Sequence, residues 1–393
     1  MLWSTKGAGL HYGGPGTSAF RLYTAGQQAY PDAVRLTLVH AYPTQTRQAL
    51  FHEEYELPTF GTRLGQLRFI RAGKRWVREH IKNYDVMHAL SGYHIALAPA
   101  LTAERMGVPA CVKPLTHNAD FRVKGTLHHR LFRSAERRRE ALNGLSAVIC
   151  ISRSIVDECL GFGVDPERVA WIPNGCDTER FRPVDADGRR AAREALALPD
   201  RPTLLISGTI LHRKRADLVI GAIDLLKQRG IDAQAVLLGP ESDAEYCKGL
   251  RAQVAAADIG DLVHFVGFHE DPAPFYAAAD LFCLPSHAEG MPNAMLEAMA
   301  CGVPSIGTRI SGITDLITDG VTGRFVDFDA ADIADAAAGY LQNNETWQAA
   351  SAACRTLIET DYSATATFQR HLHLFRNMMT GKPAADAGMK FDA

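Results

Sequence analysis

Ser286-His287-Ala288-Glu289-Gly290-Met291-Pro292-Asn293-Ala294-Met295-Leu296-Glu297-Ala298-Met299-Ala300-Cys301-Gly302 is the stretch from which the fold can be read. It follows Asp280-Leu281-Phe282-Cys283-Leu284-Pro285, an apolar run that reads as a buried strand. A Glu-Gly-Met-Pro turn then enters a helix that stops at Gly302, a residue suited to a helix C-terminus. Free N–H groups and the helix dipole make such a strand-turn-helix a site for anions. Glu289 sits on the loop before the helix and Glu297 lies about one turn inside it. Carboxylates at that place suit ligand hydroxyls, so the stretch fits a ligand with both sugar and phosphate parts. The plainer alternative is an ordinary strand-turn-helix with two surface glutamates.

The same rhythm extends in both directions. C-terminal to the stretch come a strand at 303–307, a helix at 313–318, a turn at 319–323 and a strand at 324–326. The start of the helix near Ser311-Gly312-Ile313 offers another N-terminus. N-terminal to it, strands at 203–207, 233–239 and 263–266 alternate with helices at 216–229, between the last two strands, and at 271–279. The first of these strands runs into Gly208-Thr209-Ile210-Leu211-His212-Arg213-Lys214-Arg215. Three cations at a helix start oppose the helix dipole. They read either as a solvated basic turn or as anion ligands, and the unfavourable placement argues for the latter.

The first half has the same form. A strand at 2–5 is followed by a loop holding Gly7, Gly9, Gly13, Gly14 and Gly16, with Thr17 as a plausible cap for the next helix. Glycines at a strand-to-helix turn let backbone amides approach a phosphate, although a simple tight turn has the same composition. Strands follow at 34–40, 85–90, 108–115, 146–152 and 169–172, with helices at 63–82, after 90 through 106, at 128–143 and at 153–161. The strand at 108–115 ends in Lys113-Pro114-Leu115-Thr116-His117, and ligands in open α/β sheets sit beyond such ends. His88 and His94 also lie near strand ends, where a lone histidine is more often structural. Strands alternating with helices in both halves predict an α/β chain with two doubly wound parallel sheets. The expected domains are 1–183 and 184–362, with a helix at 363–380 packing back on the first domain and a flexible tail at 381–393.

Composition removes other classes. The net charge of −2 gives no global bias toward nucleic acid or membrane, and 47% apolar residues is ordinary for globular cores. The eight cysteines are scattered without a Cys-x-x-Cys pair, which suits buried thiols in a reducing compartment. No opening signal peptide and no bilayer-length apolar run are seen, so a cytoplasmic protein is expected. The helix at 63–82 carries Arg68, Arg71, Arg75, Arg78 and Lys82 on one face. That is either a solvated face or a peripheral contact with an anionic membrane. Gly73 weakens this helix on propensity alone.

The Glu289 to Glu297 segment resembles the Glu-x7-Glu motif of the retaining glycosyltransferases of family 4 (glycosyl transferases group 1). The flanking residues from Gly290 to Pro304 match that family closely, and Pro173-Asn174-Gly175-Cys176-Asp177 with Phe181-Arg182-Pro183 resembles its segment at the end of the first domain. The resemblance covers most of the chain and is strongest from 203 to 323. It implies the GT-B fold, two Rossmann-like domains facing a central cleft. It also implies transfer of a sugar, with retention, from a nucleotide-diphosphate-sugar donor to a glycan or lipid-linked acceptor hydroxyl, in polysaccharide or glycoconjugate assembly. No bound metal and no cofactor beyond the co-substrate are expected.

By the same resemblance, His117, Lys214 and Glu289 are the catalytic candidates. Gly13, Gly14 and Gly16 fall beside the donor diphosphate. Gly208, Arg213, Gly290, Met291, Asn293 and Glu297 complete the donor site, with Glu289 on sugar hydroxyls and Glu297 on the ribose. Lys214 matches the lysine of the family's Gly-Arg-Leu-x-x-x-Lys-Gly pattern. Thr209 stands where arginine is usual and Arg215 replaces the glycine, which makes Arg213 the candidate second cation. The two glutamates are not a glycosidase acid/nucleophile pair, and a front-face mechanism is expected. An epimerase on the same scaffold and a catalytically silent nucleotide-sugar-binding partner are the alternatives; Thr209 is the feature that favours the silent partner.

Overall fold

The computed structural model describes residues 1–3, 13–40, 50–57, 63–114 and 134–390. The chain divides into two units, Met1–Gly175 with Ala364–Ala393, and Cys176–Ser363. The first opens with β1 (Leu2–Trp3), α1 (Gly13–Ala29), β2 (Thr37–His40), β3 (Glu53–Glu56), α2 (Arg63–His80), β4 (Met87–Ala89) and α3 (His94–Arg105). It continues with β5 (Ala110–Val112), α4 (Ser134–Asn143), β6 (Ala147–Cys150), α5 (Arg153–Gly161) and β7 (Val169–Trp171). The second holds α6 (Ala186–Ala195), β8 (Thr203–Ser207), α7 (Ala216–Gln228), β9 (Gln234–Leu238), α8 (Ala244–Ala256), β10 (Val263–Gly267) and α9 (Ala273–Ala278). After these come β11 (Leu281–Leu284), α10 (Asn293–Ala300), β12 (Ser305–Thr308), β13 (Gly323–Val326), α11 (Ala330–Leu341) and α12 (Asn344–Asp361). The last helix, α13 (Ala364–Thr380), returns to the first unit.

The first unit is built on a seven-stranded parallel sheet in the order β3-β2-β1-β4-β5-β6-β7. Helices cover both faces, as an all-parallel sheet requires. On one face Leu2 and Leu38 pack with Ala19 and Tyr23 of α1 and Phe368 of α13. On the other, Trp3 meets Phe69 of α2 at 5.7 Å between ring centroids. Gly73 has a packing role that propensity does not show, because a Cβ there would lie 2.6 Å from the Trp3 ring.

Four features of this unit depart from the sequence pattern. Strand β3 was not expected: its acidic side chains hide the apolar signal of an edge strand, and only Tyr55, against Trp76 at 5.1 Å, marks its packed side. Helix α1 begins at Gly13, not after a Thr17 cap. Pro15 is accommodated because first-turn N–H groups have no intrahelical partner. The chain leaves the unit after Gly175 rather than at 183, since Phe181 is fully buried against Tyr276 (5.6 Å) and its carbonyl accepts from Arg355 (2.9 Å). Residues 384–389, expected within a flexible tail, pack on β7: Ala384 and Ala387 are buried and the Met389 amide donates to the Trp171 carbonyl (2.8 Å).

The second unit holds a six-stranded parallel sheet in the order β10-β9-β8-β11-β12-β13. The chain winds outward from β8 to β10, then jumps back to β11 on the other side of β8. That reversal is the topological switch point at which doubly wound sheets bind ligands, beyond the carboxyl ends of the strands. The helix expected at 313–318 is instead a run of hydrogen-bonded turns, with Ile313 donating to Ile310 O (3.1 Å) and Ile317 to Ile313 O (2.9 Å). Gly312 breaks the helical path, because its φ of +76° lies in the left-handed region. All eight cysteines are free and buried, and no helix among the described residues is long and apolar enough to cross a membrane.

Candidate functional site

The carboxyl ends of β8 and β11 carry the residues on which the sequence converges. Gly208 follows β8 with φ +122°, and Gly239 follows β9 with φ +143°. A Cβ on Gly239 would lie 2.1 Å from the Gly208 carbonyl, so the two strand ends approach as only glycine permits. The chain then makes a 3-10 turn, His212–Lys214, and Arg215 adopts left-handed geometry (φ 53°, ψ 46°) before α7. This folds Lys214 inward to 8% exposure and leaves Arg213 half-exposed.

Both cations meet the loop after β11 at one atom. Lys214 Nζ lies 2.9 Å from Glu289 Oε1, and Arg213 Nη1 lies 2.8 Å from the same oxygen. Arg213 also donates to the Ala288 carbonyl, and the His287 amide donates to the Arg213 carbonyl (2.9 Å). Burial raises the Glu289 pKa, but Lys214, then Arg213, outweigh it and hold the carboxyl below the ordinary glutamate range. Glu289 is therefore a carboxylate at neutral pH. Arg215 is directed elsewhere: it clasps Asp217 with three bonds (3.0, 3.1 and 2.8 Å), and Asp217 accepts from Tyr246 (2.7 Å). Of three adjacent cations, one is neutralised by Asp217 and two share Glu289. The cluster keeps a net positive charge at a partly buried strand end, where an anion is favoured.

The loop that carries Glu289 is held from several sides. Ser286 is fully buried and its carbonyl accepts from Thr308 Oγ1 (2.7 Å). Gly312 fits against it so closely that a Cβ would lie 2.0 Å from the Gly290 carbonyl. Pro292 stands at the N-cap of α10 and supplies no side-chain cap, and the first turn holds no carboxylate. Its N–H groups and dipole therefore favour an anion. At the other end Arg355 donates to the Ala300 carbonyl (2.8 Å), a cation where the dipole favours one. Glu297 is buried and accepts from the Tyr276 hydroxyl (2.7 Å), which is also hydrogen-bonded to Ser207 Oγ (3.1 Å). This fixes α10 to the end of β8.

The structure thus brings Gly208, Arg213, Lys214, Glu289, Gly290, Met291, Asn293 and Glu297 to one edge of the second sheet. Met291 is buried, and Asn293 opens α10. Gly13, Gly14 and Gly16 form the first turn of α1 in the first unit. His117 lies outside the described residues. His88 lies within β4 and is buried, and His94 opens α3. Sequence reasoning missed the Asp217–Tyr246 pair that takes Arg215 out of the cluster, the Tyr276–Glu297 bond, and His287. The His287 ring meets Phe328 in a tilted contact at 4.4 Å. No local pattern joins these residues, which are far apart in the chain.

Two family models match: Glycosyl transferases group 1 over residues 188–356, and Glycosyl transferase 4-like domain over residues 13–175. A D-inositol 3-phosphate glycosyltransferase of Actinosynnema mirum is 31% identical over 297 residues, 70% of this chain and 67% of that protein. A GDP-mannose-dependent alpha-(1-6)-phosphatidylinositol monomannoside mannosyltransferase of Mycolicibacterium smegmatis is 34% identical over 43% of this chain and 46% of its own length. The alignments span 44%, 61% and 46% of the first three curated relatives, so the chain spans about half the length of the curated relatives it matches. Among solved structures, Anabaena Alr3699/HepE in complex with UDP superposes with a TM-score of 0.76 at 18% identity, covering 96% of this chain and 99% of that one. WaaG, a glycosyltransferase involved in lipopolysaccharide biosynthesis, superposes with a TM-score of 0.70 at 16% identity, covering 97% and 100%. At such identities the superpositions show the fold alone, which is GT-B. With both models matched and a relative aligned over two thirds of its length, the chain belongs to the family 4 glycosyltransferases.

Proposed function

We propose that the chain is a retaining glycosyltransferase that moves a sugar from a nucleotide-diphosphate-sugar donor to a glycan or lipid-linked acceptor hydroxyl. The observation that carries this is the convergence of Lys214 and Arg213 on Glu289 at the switch point of the second sheet. As the bond between the anomeric carbon and the donor phosphate breaks, negative charge grows on the diphosphate. A preorganised ammonium, a guanidinium and the start of α10 stabilise that charge. Arg213 supplies the second cation that Thr209 does not. Glu289 aims both cations in the free protein and accepts sugar hydroxyls when the donor is bound. Glu297 faces the ribose.

The scheme uses no protein nucleophile, in keeping with Glu289 being paired with two cations and Glu297 with Tyr276 in the free protein. In a front-face step the acceptor oxygen bonds to the anomeric carbon on the side from which the phosphate leaves. The acceptor proton passes to the departing phosphate oxygen, and configuration is retained. By the family resemblance, His117 is assigned to the transferred sugar and the diphosphate. UDP bound by Alr3699/HepE and the GDP-mannose named for the Mycolicibacterium relative make uridine and guanosine donors the first to test. Acceptors of polysaccharide or glycoconjugate assembly at the cytoplasmic face of a membrane suit the reading.

Purified protein is incubated with UDP-glucose or GDP-mannose, with and without acceptor extracts, and nucleoside diphosphate release is followed while NMR reads the anomeric configuration of the product. Acceptor-dependent release with retention is expected. Release of a new nucleotide sugar without transfer supports the epimerase, and binding with no turnover supports the silent partner; either contradicts the proposal.

A further inference from the structure

The first unit contains a cavity of about 550 Å³ that the donor chemistry does not use. It is lined by Leu36 and Thr37 at the start of β2, Glu53 at the start of β3 and Asp85 and Val86 just before β4. It therefore lies at the amino edge of the sheet, opposite the strand ends where ligands of doubly wound folds are bound. Its size is in the range of small-molecule sites. The C-terminal part of α13 closes one side with Phe375 and Arg376.

His88 lies on the cavity wall at 2% exposure. Its Nδ1 is 2.7 Å from the Tyr23 hydroxyl, and its Nε2 has no partner among the described residues. Burial, then His371 and Lys113, push the imidazole pKa well below its usual value, so the ring is neutral at pH 7. A buried ring nitrogen left unpaired costs about 1–3 kcal/mol, and an occupant that hydrogen-bonds it removes that cost. The remaining lining sets the occupant's chemistry. Arg35 and Arg376 oppose a cation, and Glu53 and Asp85 oppose an anion. A purely apolar occupant leaves His88 unsatisfied. A neutral molecule rich in hydroxyls satisfies donors and acceptors of both signs, and its C–H faces suit the rings of Tyr84 and Phe375.

We propose that this amino-edge cavity is a second saccharide-binding site, which holds one or two neutral sugar rings by hydrogen bonds to His88, the arginines and the carboxylates and by contact with Tyr84 and Phe375. It is independent of the donor site described above. A glycan held there would be tethered to the enzyme without occupying the reaction centre.

The test is ligand-observed saturation-transfer NMR on the full chain. The probes are methyl α-glucoside, methyl α-mannoside and N-acetylglucosamine, with inorganic phosphate as the anionic control. Wild type is compared with the double variant Tyr84→Ala/Arg376→Ala and with Lys214→Ala. Tyr84 is half-buried and Arg376 exposed, so the double variant is expected to keep the wild-type thermal midpoint, while Lys214→Ala, which loses a buried ion-pair partner, is checked for its fold by circular dichroism. At least one sugar is expected to show transfer from wild type and from Lys214→Ala. Its affinity should fall about tenfold or more in the double variant, equivalent to about 1.4 kcal/mol of lost contact. The proposal is overturned by no transfer from any sugar to wild type, by equal transfer in the double variant, by loss in Lys214→Ala alone, or by displacement of the sugar by phosphate. A failure here leaves the donor site standing, and failure of the turnover assay leaves this site standing.

Discussion

Glu289 carries more than one duty. Its carboxylate holds two cations of which one is buried, and removing one partner of a buried pair costs about 3–5 kcal/mol. An alanine at this position therefore confounds folding with function, and Glu289→Gln is the sharper probe. The amide keeps the volume and can still accept from Lys214, but it lacks the charge that aims both cations. We expect transfer to fall by about 10²–10³, the usual loss for one preorganised electrostatic contact, with the fold intact by circular dichroism. Activity within a factor of a few of wild type would remove Glu289 from the mechanism. The pH dependence has a fixed sign. The folded carboxyl titrates below its unfolded value, so the stability from this cluster is fully present above the ordinary glutamate pKa of about 4.3. It is lost only as pH falls through the lower folded value. In acid titrations wild type should therefore lose more stability below about pH 4.3 than Glu289→Gln does, and parallel curves would contradict this.

At the scale of elements, the Glu289 loop depends on a partner the sequence pattern misassigns. The pattern expects a helix at 313–318, but the turn at Gly312 is what lets the Gly290 carbonyl approach. Gly312→Ala combines left-handed strain with a 2.0 Å clash. We expect a loss of about 1–3 kcal/mol in urea unfolding together with weaker donor binding; a silent substitution would mean the two loops move independently. Helix α6 is tied to the start of β11 by Arg193, which bonds Asp280 (2.5 Å), Asp200 (2.9 Å) and the Ala278 carbonyl (3.1 Å). Burial of Asp280 outweighs Arg193 and Arg189 and leaves its carboxyl above the usual range, so the network compensates a buried charge rather than adding surplus stability. Arg193→Ala should destabilise by about 3–5 kcal/mol; a loss under about 1 kcal/mol would place the network with exposed pairs. On α2 the exposed arginines 68, 71, 75 and 78 adjoin Leu64 (58% exposed) and Leu67 (54%), an apolar end to a basic face. Arg75 is paired with Glu79 at 2.9 Å. Neutralising Arg71, Arg75 and Arg78 together should weaken cosedimentation with vesicles of anionic lipid. Sedimentation equal to wild type, or none by wild type itself, would assign this face to solvent.

At the scale of the whole chain, two doubly wound sheets are legible because buried parallel strands are continuous apolar runs at regular spacing, as 203–207 and 281–284 show. What escapes is set by contacts distant in sequence. The acidic strand Glu53–Glu56 is defined by its pairing with β2, the crossing after Gly175 by Phe181 and Arg355 packing in the second unit, and the ordered segment after Thr380 by Trp171. The site divides the same way. Lys214 and Glu289 are visible because each sits in a short local motif at a strand end. The diversion of Arg215 to Asp217 and the Tyr276–Glu297 bond are not, because they depend on where α8 and α9 dock.

The central claim is that the cluster of Lys214, Arg213 and Glu289 holds the donor diphosphate. Titration calorimetry with UDP and GDP on wild type and Lys214→Ala tests it most directly. At least one nucleotide should bind wild type and bind the variant about 10–100-fold more weakly, the loss of about 1.4–2.7 kcal/mol expected for a charge-assisted contact. Equal affinity of both proteins for every nucleotide that binds would contradict the account.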